Sequence, residues 1–328
     1  MPPGFTAADF DCYEPRKWRS NVFNRERLEV KQRLLALARE VGGGLTAHDG
    51  SPLHIETSVE HPALWNHKQV DAQHVYFSRN EAARKELDAI IDRRKPMATL
   101  LDDPTPQRNH TFLALTLNHQ GLEVSLKLHP DASVDRQNLE RKLEDHFECE
   151  RLQELLLALP ESFQIGITPK LRPIHPGGVD DTTLRSLVTE LSTSVAAGPM
   201  GGLGALPGQV PPVHLFYVGA LRPRESLLGP DAEDGQAWAR EGLKLLLPIY
   251  RFVAWSRDND YVSIKQVLDK EKTVKRQRGF GKNDEVRIAR GVLAGQSGIV
   301  QEVDAKGHLR VLIGKLTIKV DAADVERG

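Results

Sequence analysis

Cysteine is nearly absent: the 328 residues hold two, Cys12 and Cys149. They stand far apart and neither belongs to a C-x-x-C pair, which argues against a disulfide scaffold or a cysteine-ligated zinc site. Each is expected as a small buried apolar side chain. No apolar run approaches the roughly 20 residues needed to span a bilayer, so no membrane partner is expected. The opening Met1 to Phe10 has no basic stretch leading into an apolar one, so no secretory signal is expected and the expected setting is cytoplasmic. The phosphate-cradling G-x-x-x-x-G-K-[ST] loop, a dinucleotide G-x-G-x-x-G after a strand, H-E-x-x-H and G-x-S-x-G are all missing. Neither a cofactor nor a metal is therefore expected. Excess charge is missing too: 44 Lys plus Arg face 45 Asp plus Glu, a net charge of -1, with 40% apolar residues. General disorder is excluded by that balance. The length suggests two domains and suffices for a core without disulfide or metal staples.

Several elements are legible. Asn24 caps an expected helix with Leu28, Leu34, Leu35, Ala38 and Val41 on its apolar face, ended by Gly42-Gly43-Gly44. A second helix starts at Ser78 or Asn80, carries Ala83, Leu87, Ile90 and Ile91, and stops near Pro96. Residues 111–117 and 123–128 alternate around the turn Asn118-His119-Gln120-Gly121, predicting a β-hairpin. Ser133 or Asp135 opens a helix, Cys149 to Leu159 continues as another, Pro160 breaks it, and Phe163 to Ile167 reads as a strand. Residues 213–218 read as a strand and 237–250 as a helix interrupted at Pro248. Leucine-rich helix, Leu-Pro and a β-prone run occur twice, over 152–165 and 241–253, by duplication or by chance. These elements predict an α+β fold, with a mixed α/β domain over 10–262 interrupted by a Gly/Pro-rich flexible loop at 198–212.

Charge is unevenly placed. Between Lys265 and Arg290 stand nine basic and four acidic residues, a net of +5, whereas everything before Lys265 sums to -6. A basic linker over 263–280 therefore follows an acidic body. It is either a solvated connector or a surface that meets phosphates and releases their counterions.

The last stretch has the clearest pattern. Val286 and Ile288, then Ile299, Val300 and Val303, then Leu309, Val311 and Ile313, then Leu316, Ile318 and Val320 mark four short strands, and Val325 a fifth pairing. So many short strands in so few residues bury a common face by curling into a small SH3-like β-barrel. Val286-Arg287-Ile288, the loop Gly291-Val292-Leu293-Ala294-Gly295, then Gly298-Ile299-Val300 and the ending Val320 to Glu326 resemble a KOW motif. The pattern is similar to that of NusG-type transcription elongation factors and KOW ribosomal proteins. It covers residues 281–328 only, and Val292-Leu293 stands where those families often have Pro-Phe. The N-terminal domain does not resemble the other half of those factors.

The resemblance implies docking on RNA or on a transcription or translation ribonucleoprotein, either RNA polymerase or ribosome-associated, with basic side chains on phosphates. The candidate nucleic-acid-binding residues are Lys272, Lys275, Arg276, Arg278, Lys282, Arg287 and Arg290, beside the motif glycines Gly291, Gly295 and Gly298. A protein–protein adapter without nucleic-acid contact is the alternative.

Two enzyme-like sets remain. His54, His61, His67 and His74, near Glu56, Glu60 and Asp71, read as polar loop and surface histidines, with a carboxylate–histidine site as the sharper reading. Asp102, Asp103, Glu123 and Lys127 loosely match the carboxylates and lysine of a metal-dependent nuclease, although Glu123 and Lys127 are four apart where that arrangement has two. The expectation is a non-enzymatic binding protein, with a nuclease-like enzyme in the N-terminal domain as a second alternative.

Overall fold

Asn118 makes the central turn: its Oδ1 accepts from the backbone N–H of Gln120 (2.8 Å) and Gly121 (3.1 Å), a side chain mimicking a backbone turn. The computed structural model describes residues 4–58, 69–94, 106–168, 173–196, 214–228, 234–265, 280–291, 293–304 and 308–327. The expected loop at 198–212 and most of the 263–280 linker lie outside the described residues. The fold is mixed helix and antiparallel sheet, of α+β type. Two compact units result, Met1–Val262 and Ser263–Gly328.

The first unit holds a six-stranded sheet of order β1-β2-β3-β4-β6-β5. Its strands are β1 (His54–Thr57), β2 (Ala72–Ser78), β3 (Phe112–Asn118), β4 (Gly121–Leu128), β5 (Gln164–Thr168) and β6 (Leu215–Pro223), each antiparallel to its neighbours. Gly121 is required at the hairpin corner, because a Cβ there would meet the Arg222 carbonyl oxygen at 1.9 Å. The register aligns Val75, Leu115, Val124 and Ala220 across four strands on one face. That face packs under the helices Asn24–Val41 and Gly235–Val253. Gly242 permits the close approach; a Cβ on it would lie 2.6 Å from Val124 Cγ2.

Several expectations change. The Asn24–Val41 helix buries Arg27, Val30, Leu34, Leu37, Ala38 and Val41 and leaves Leu28 exposed. Arg27 takes the inner position because its guanidinium donates to the carbonyls of Cys12, Lys17 and Ser20. The segment read as a histidine-bearing loop supplies strands β1 and β2. The Gly235–Val253 helix runs through Pro248. A proline inside a helix costs about 3 kcal/mol, and the burial of Leu243, Leu246, Ile249, Tyr250 and Val253 around it outweighs that. For the same reason the duplicated helix–strand unit is not there: the first copy ends as a helix before β5, whereas the second stays helical to Val253.

The second unit is a five-stranded antiparallel sheet of order β10-β9-β8-β7-β11. Its strands are β7 (Glu285–Ile288), β8 (Ser297–Val303), β9 (His308–Ile313), β10 (Leu316–Asp321) and β11 (Val325–Arg327). Val286, Ile288, Val300, Leu309, Val311, Ala322 and Val325 form its core. A register shift between Val300 and Glu302 bends β8. Among the described residues β10 and β11 are edges and do not pair with each other, so the ladder is open.

Candidate nucleic-acid interface

In the second unit inward Val286 and Ile288 alternate with outward Glu285 and Arg287 along β7. The alternation that seats the core therefore fixes Arg287 in water. Lys282, Arg287 and Arg290 are all exposed, and among the described residues none has a carboxylate partner. Cations on the β9–β10 side differ. Arg310 Nη1 lies 3.1 Å from Glu302 and Lys319 Nζ 2.9 Å from Asp304, which also faces the His308 ring at 3.1 Å. Asp304 is pulled to an unusually low pKa by Lys319 and His308. Lys282, Arg287 and Arg290 thus stand at the β7 end without an ion pair among the described residues, in the company of Asp284, Glu285 and Glu326, the last opposite Arg287 across the β7–β11 pairing. Lys272, Lys275, Arg276 and Arg278 lie outside the described residues.

Each motif glycine has a physical reason. Gly291 and Gly295 hold φ of +95° and +88°, conformations that L side chains resist. The Gly295 N–H donates to Ile288 O at 2.7 Å and closes the loop. Gly298 is needed for space: a Cβ would meet Leu312 O and Val311 Cγ1, each at 2.6 Å.

The acid–lysine set is brought together in part. Glu123 and Lys127 share the face of β4 opposite the helices, and their side chains meet at 2.8 Å. Ser125 Oγ donates to the same Glu123 oxygen at 2.7 Å. Rows across the sheet add His74 and Thr116 beside Glu123, and Phe112 and Tyr217 beside Lys127. Burial pushes the Glu123 carboxyl up, but Lys127 and Ser125 outweigh it and hold it below its usual value. Burial, then the Lys127 charge, push His74 down to about 4, so it is neutral and pairs with Thr116 Oγ1 at 3.0 Å. The cluster satisfies itself. Asp102, Asp103 and Glu60 lie outside the described residues.

Of the four histidines, His61 and His67 also lie outside the described residues. His54 opposes Ser78 at one end of β2, and His74 lies near the other end. Among the described residues no group of three or more His, Cys, Asp or Glu could hold a metal ion.

Sequence reasoning missed a buried ionic hub. Asp135, fully buried, accepts at Oδ1 from Arg79 Nη2 (2.6 Å) and Trp255 N (2.8 Å). Its Oδ2 accepts from Arg79 Nη1 (3.1 Å), Thr111 N (2.7 Å) and Thr111 Oγ1 (3.0 Å). Arg79 Nη1 also faces His110 Nδ1 at 2.7 Å, and His110 Nε2 lies 3.1 Å from Asp88. Because arginine only donates, Nδ1 must accept, which places the His110 proton on Nε2 toward Asp88. The hub ties β2, the start of β3, the Ser133–Glu144 helix and the segment after Val253. The signal available was Asp135 in the first turn of a helix, which read only as a helix opener.

No family model matches the chain, and no curated protein matches it. Among the described residues no helix is long and apolar enough to cross a membrane.

Proposed function

We propose that the protein is a non-enzymatic RNA-binding or ribonucleoprotein-docking protein whose C-terminal unit is a curled, SH3-like KOW barrel. In this reading the β7 end lies along phosphates. The observation that carries it is the contrast between Lys282, Arg287 and Arg290, exposed and without an ion pair among the described residues, and the paired Arg310 and Lys319. Cations without carboxylate partners lose nothing internal when they meet phosphate, and they release counterions as they do so. The sequence stretch that contains them, from Lys265 to Arg290, carries a net charge of +5 and includes Lys272, Lys275, Arg276 and Arg278.

The test is fluorescence anisotropy of a labelled oligouridine with the full chain across a salt series. Three phosphate contacts predict a log–log slope of about -2 on single-stranded RNA, so a fourfold rise in salt weakens binding about 20-fold. The variant Lys282→Ala/Arg287→Ala/Arg290→Ala should flatten the slope by about 2. Absence of binding at low salt, or a slope that the variant leaves unchanged, refutes the reading. The adapter alternative draws on a different observation: Ile299 and Leu316 are 44% and 64% exposed on the second unit. It predicts a protein partner retained at high salt after nuclease treatment.

A further inference from the structure

The first unit holds a cleft of about 360 Å³ where the C-terminal end of the Gly235–Val253 helix meets the helices Ser133–Glu144 and His146–Leu157. Small-molecule sites begin at about 300 Å³. Its floor is Lys142, nearly buried. The ammonium donates to Phe252 O at 2.9 Å and sits 3.8 Å over the Phe252 ring, at the negative end of the helix. An ammonium has three donors, and this is the one hydrogen bond it makes among the described residues. Beside it, Glu148 Oε2 is enclosed and accepts no hydrogen bond. The two atoms are 3.8 Å apart, too far for a direct hydrogen bond. One oxygen lying to the side spans that gap with two ordinary hydrogen bonds. It must accept from Lys142 and donate to Glu148, which an alcohol hydroxyl or a water does and an ionised carboxylate or phosphate oxygen does not. The charged lining is Lys142, Arg151 and Arg251 against Glu148 and Asp258, a net of one positive charge. Arg151 is largely exposed, with its guanidinium 6.0 Å from the Phe252 ring and Nη1 at a loose 3.6 Å from Glu148 Oε1.

We propose that this cleft binds a small hydroxylated anion of the sugar-phosphate class, with a hydroxyl bridging Lys142 Nζ and Glu148 Oε2 and the anionic group facing Arg151. The site lies wholly within the first unit and does not rest on the C-terminal reading. Burial pushes the Lys142 ammonium down to about 8, so an anion in the cleft also favours its charged form.

Calorimetric titration of the full chain with ribose 5-phosphate, glucose 6-phosphate and glycerol 3-phosphate tests this, with ribose and inorganic phosphate as controls. At least one sugar phosphate should bind tenfold or more tightly than either control. Glu148→Gln and Arg151→Glu should each weaken it by about tenfold to a hundredfold, the range for a hydrogen bond to a charged group. Arg151→Glu alters an exposed side chain, so its fold is retained even if Glu148→Gln is destabilised. Three results overturn the proposal: no heat with any sugar phosphate, which leaves a bridging water only; inorganic phosphate binding as tightly; or Arg151→Glu leaving the affinity unchanged.

Discussion

Asp135→Asn is the sharpest test of what holds the first unit together. The substitution keeps size and shape and removes one charge. Each carboxylate oxygen already accepts from at least two donors: Arg79 and Trp255 N at Oδ1, Arg79 and Thr111 at Oδ2. An amide turned either way sets its NH2 against N–H groups that cannot accept, so neither rotamer restores the network. Arg79, with a 6% exposed side chain, is left charged without its counterion. Breaking a buried pair from one side costs about 3–5 kcal/mol, a large part of the roughly 5–15 kcal/mol of a typical domain. Urea denaturation of the full chain, followed by circular dichroism, should show the midpoint falling with little change in slope. Removing both charges, as Arg79→Met/Asp135→Leu, should cost less than the sum of the single changes. It relieves the unpaired charge and orphans the N–H groups of Thr111 and Trp255, at about 1–3 kcal/mol each. A cost below about 1 kcal/mol for Asp135→Asn would refute the claim that this pair is buried and fully engaged.

His74 gives acid sensitivity of definite sign. Its folded pKa of about 4 lies below the ordinary 6.5, so the unfolded chain takes the proton first and stability is lost as pH falls from 6.5 to 4. The loss is at most about 3 kcal/mol. His74→Asn should flatten the urea midpoint over that range, and an unchanged pH dependence would show that another group causes it. In the second unit, Gly298→Ala forces a Cβ against Leu312 O and should cost about 1–3 kcal/mol. Gly291→Ala meets nothing in space but must hold φ +95°, at about 1–2 kcal/mol. Amide hydrogen exchange across β8 and β9 reads both effects, and protection equal to that of the unaltered protein would contradict them.

The hairpin and the Asn24–Val41 helix were legible because local chemistry sets them: an Asn118 turn in one, a triple-glycine stop in the other. Strands β1 and β2 were not. Their outward residues His54, Glu56, His74 and Tyr76 are polar or amphipathic, and their alternation with Ile55, Val75 and Phe77 resembles a polar loop until the neighbouring strands are in place. The continuous Gly235–Val253 helix was hidden for the opposite reason: Pro248 is a strong local signal that tertiary burial overrides. Of the candidate cations, Arg287 was legible as exposed because strand positions follow the period of two; Lys282 and Arg290 flank that strand, in a turn and a bend.

Charged side chains of one type thus serve three purposes that a count cannot separate. Arg79 and Arg27 are buried and spend their donors on partners brought from elsewhere in the chain. Arg310 and Lys319 are neutralised at the surface. Lys282, Arg287 and Arg290 are exposed and make no ion pair among the described residues. Lys142 stands apart from all three: nearly buried, bound to a carbonyl 110 residues away, and facing a carboxylate oxygen just out of reach. In sequence it sits between Arg141, which is exposed, and Leu143, which is buried. Its burial depends on the far end of the Gly235–Val253 helix arriving above it. Long-range packing alone converts that lysine from a surface charge into the floor of a cleft.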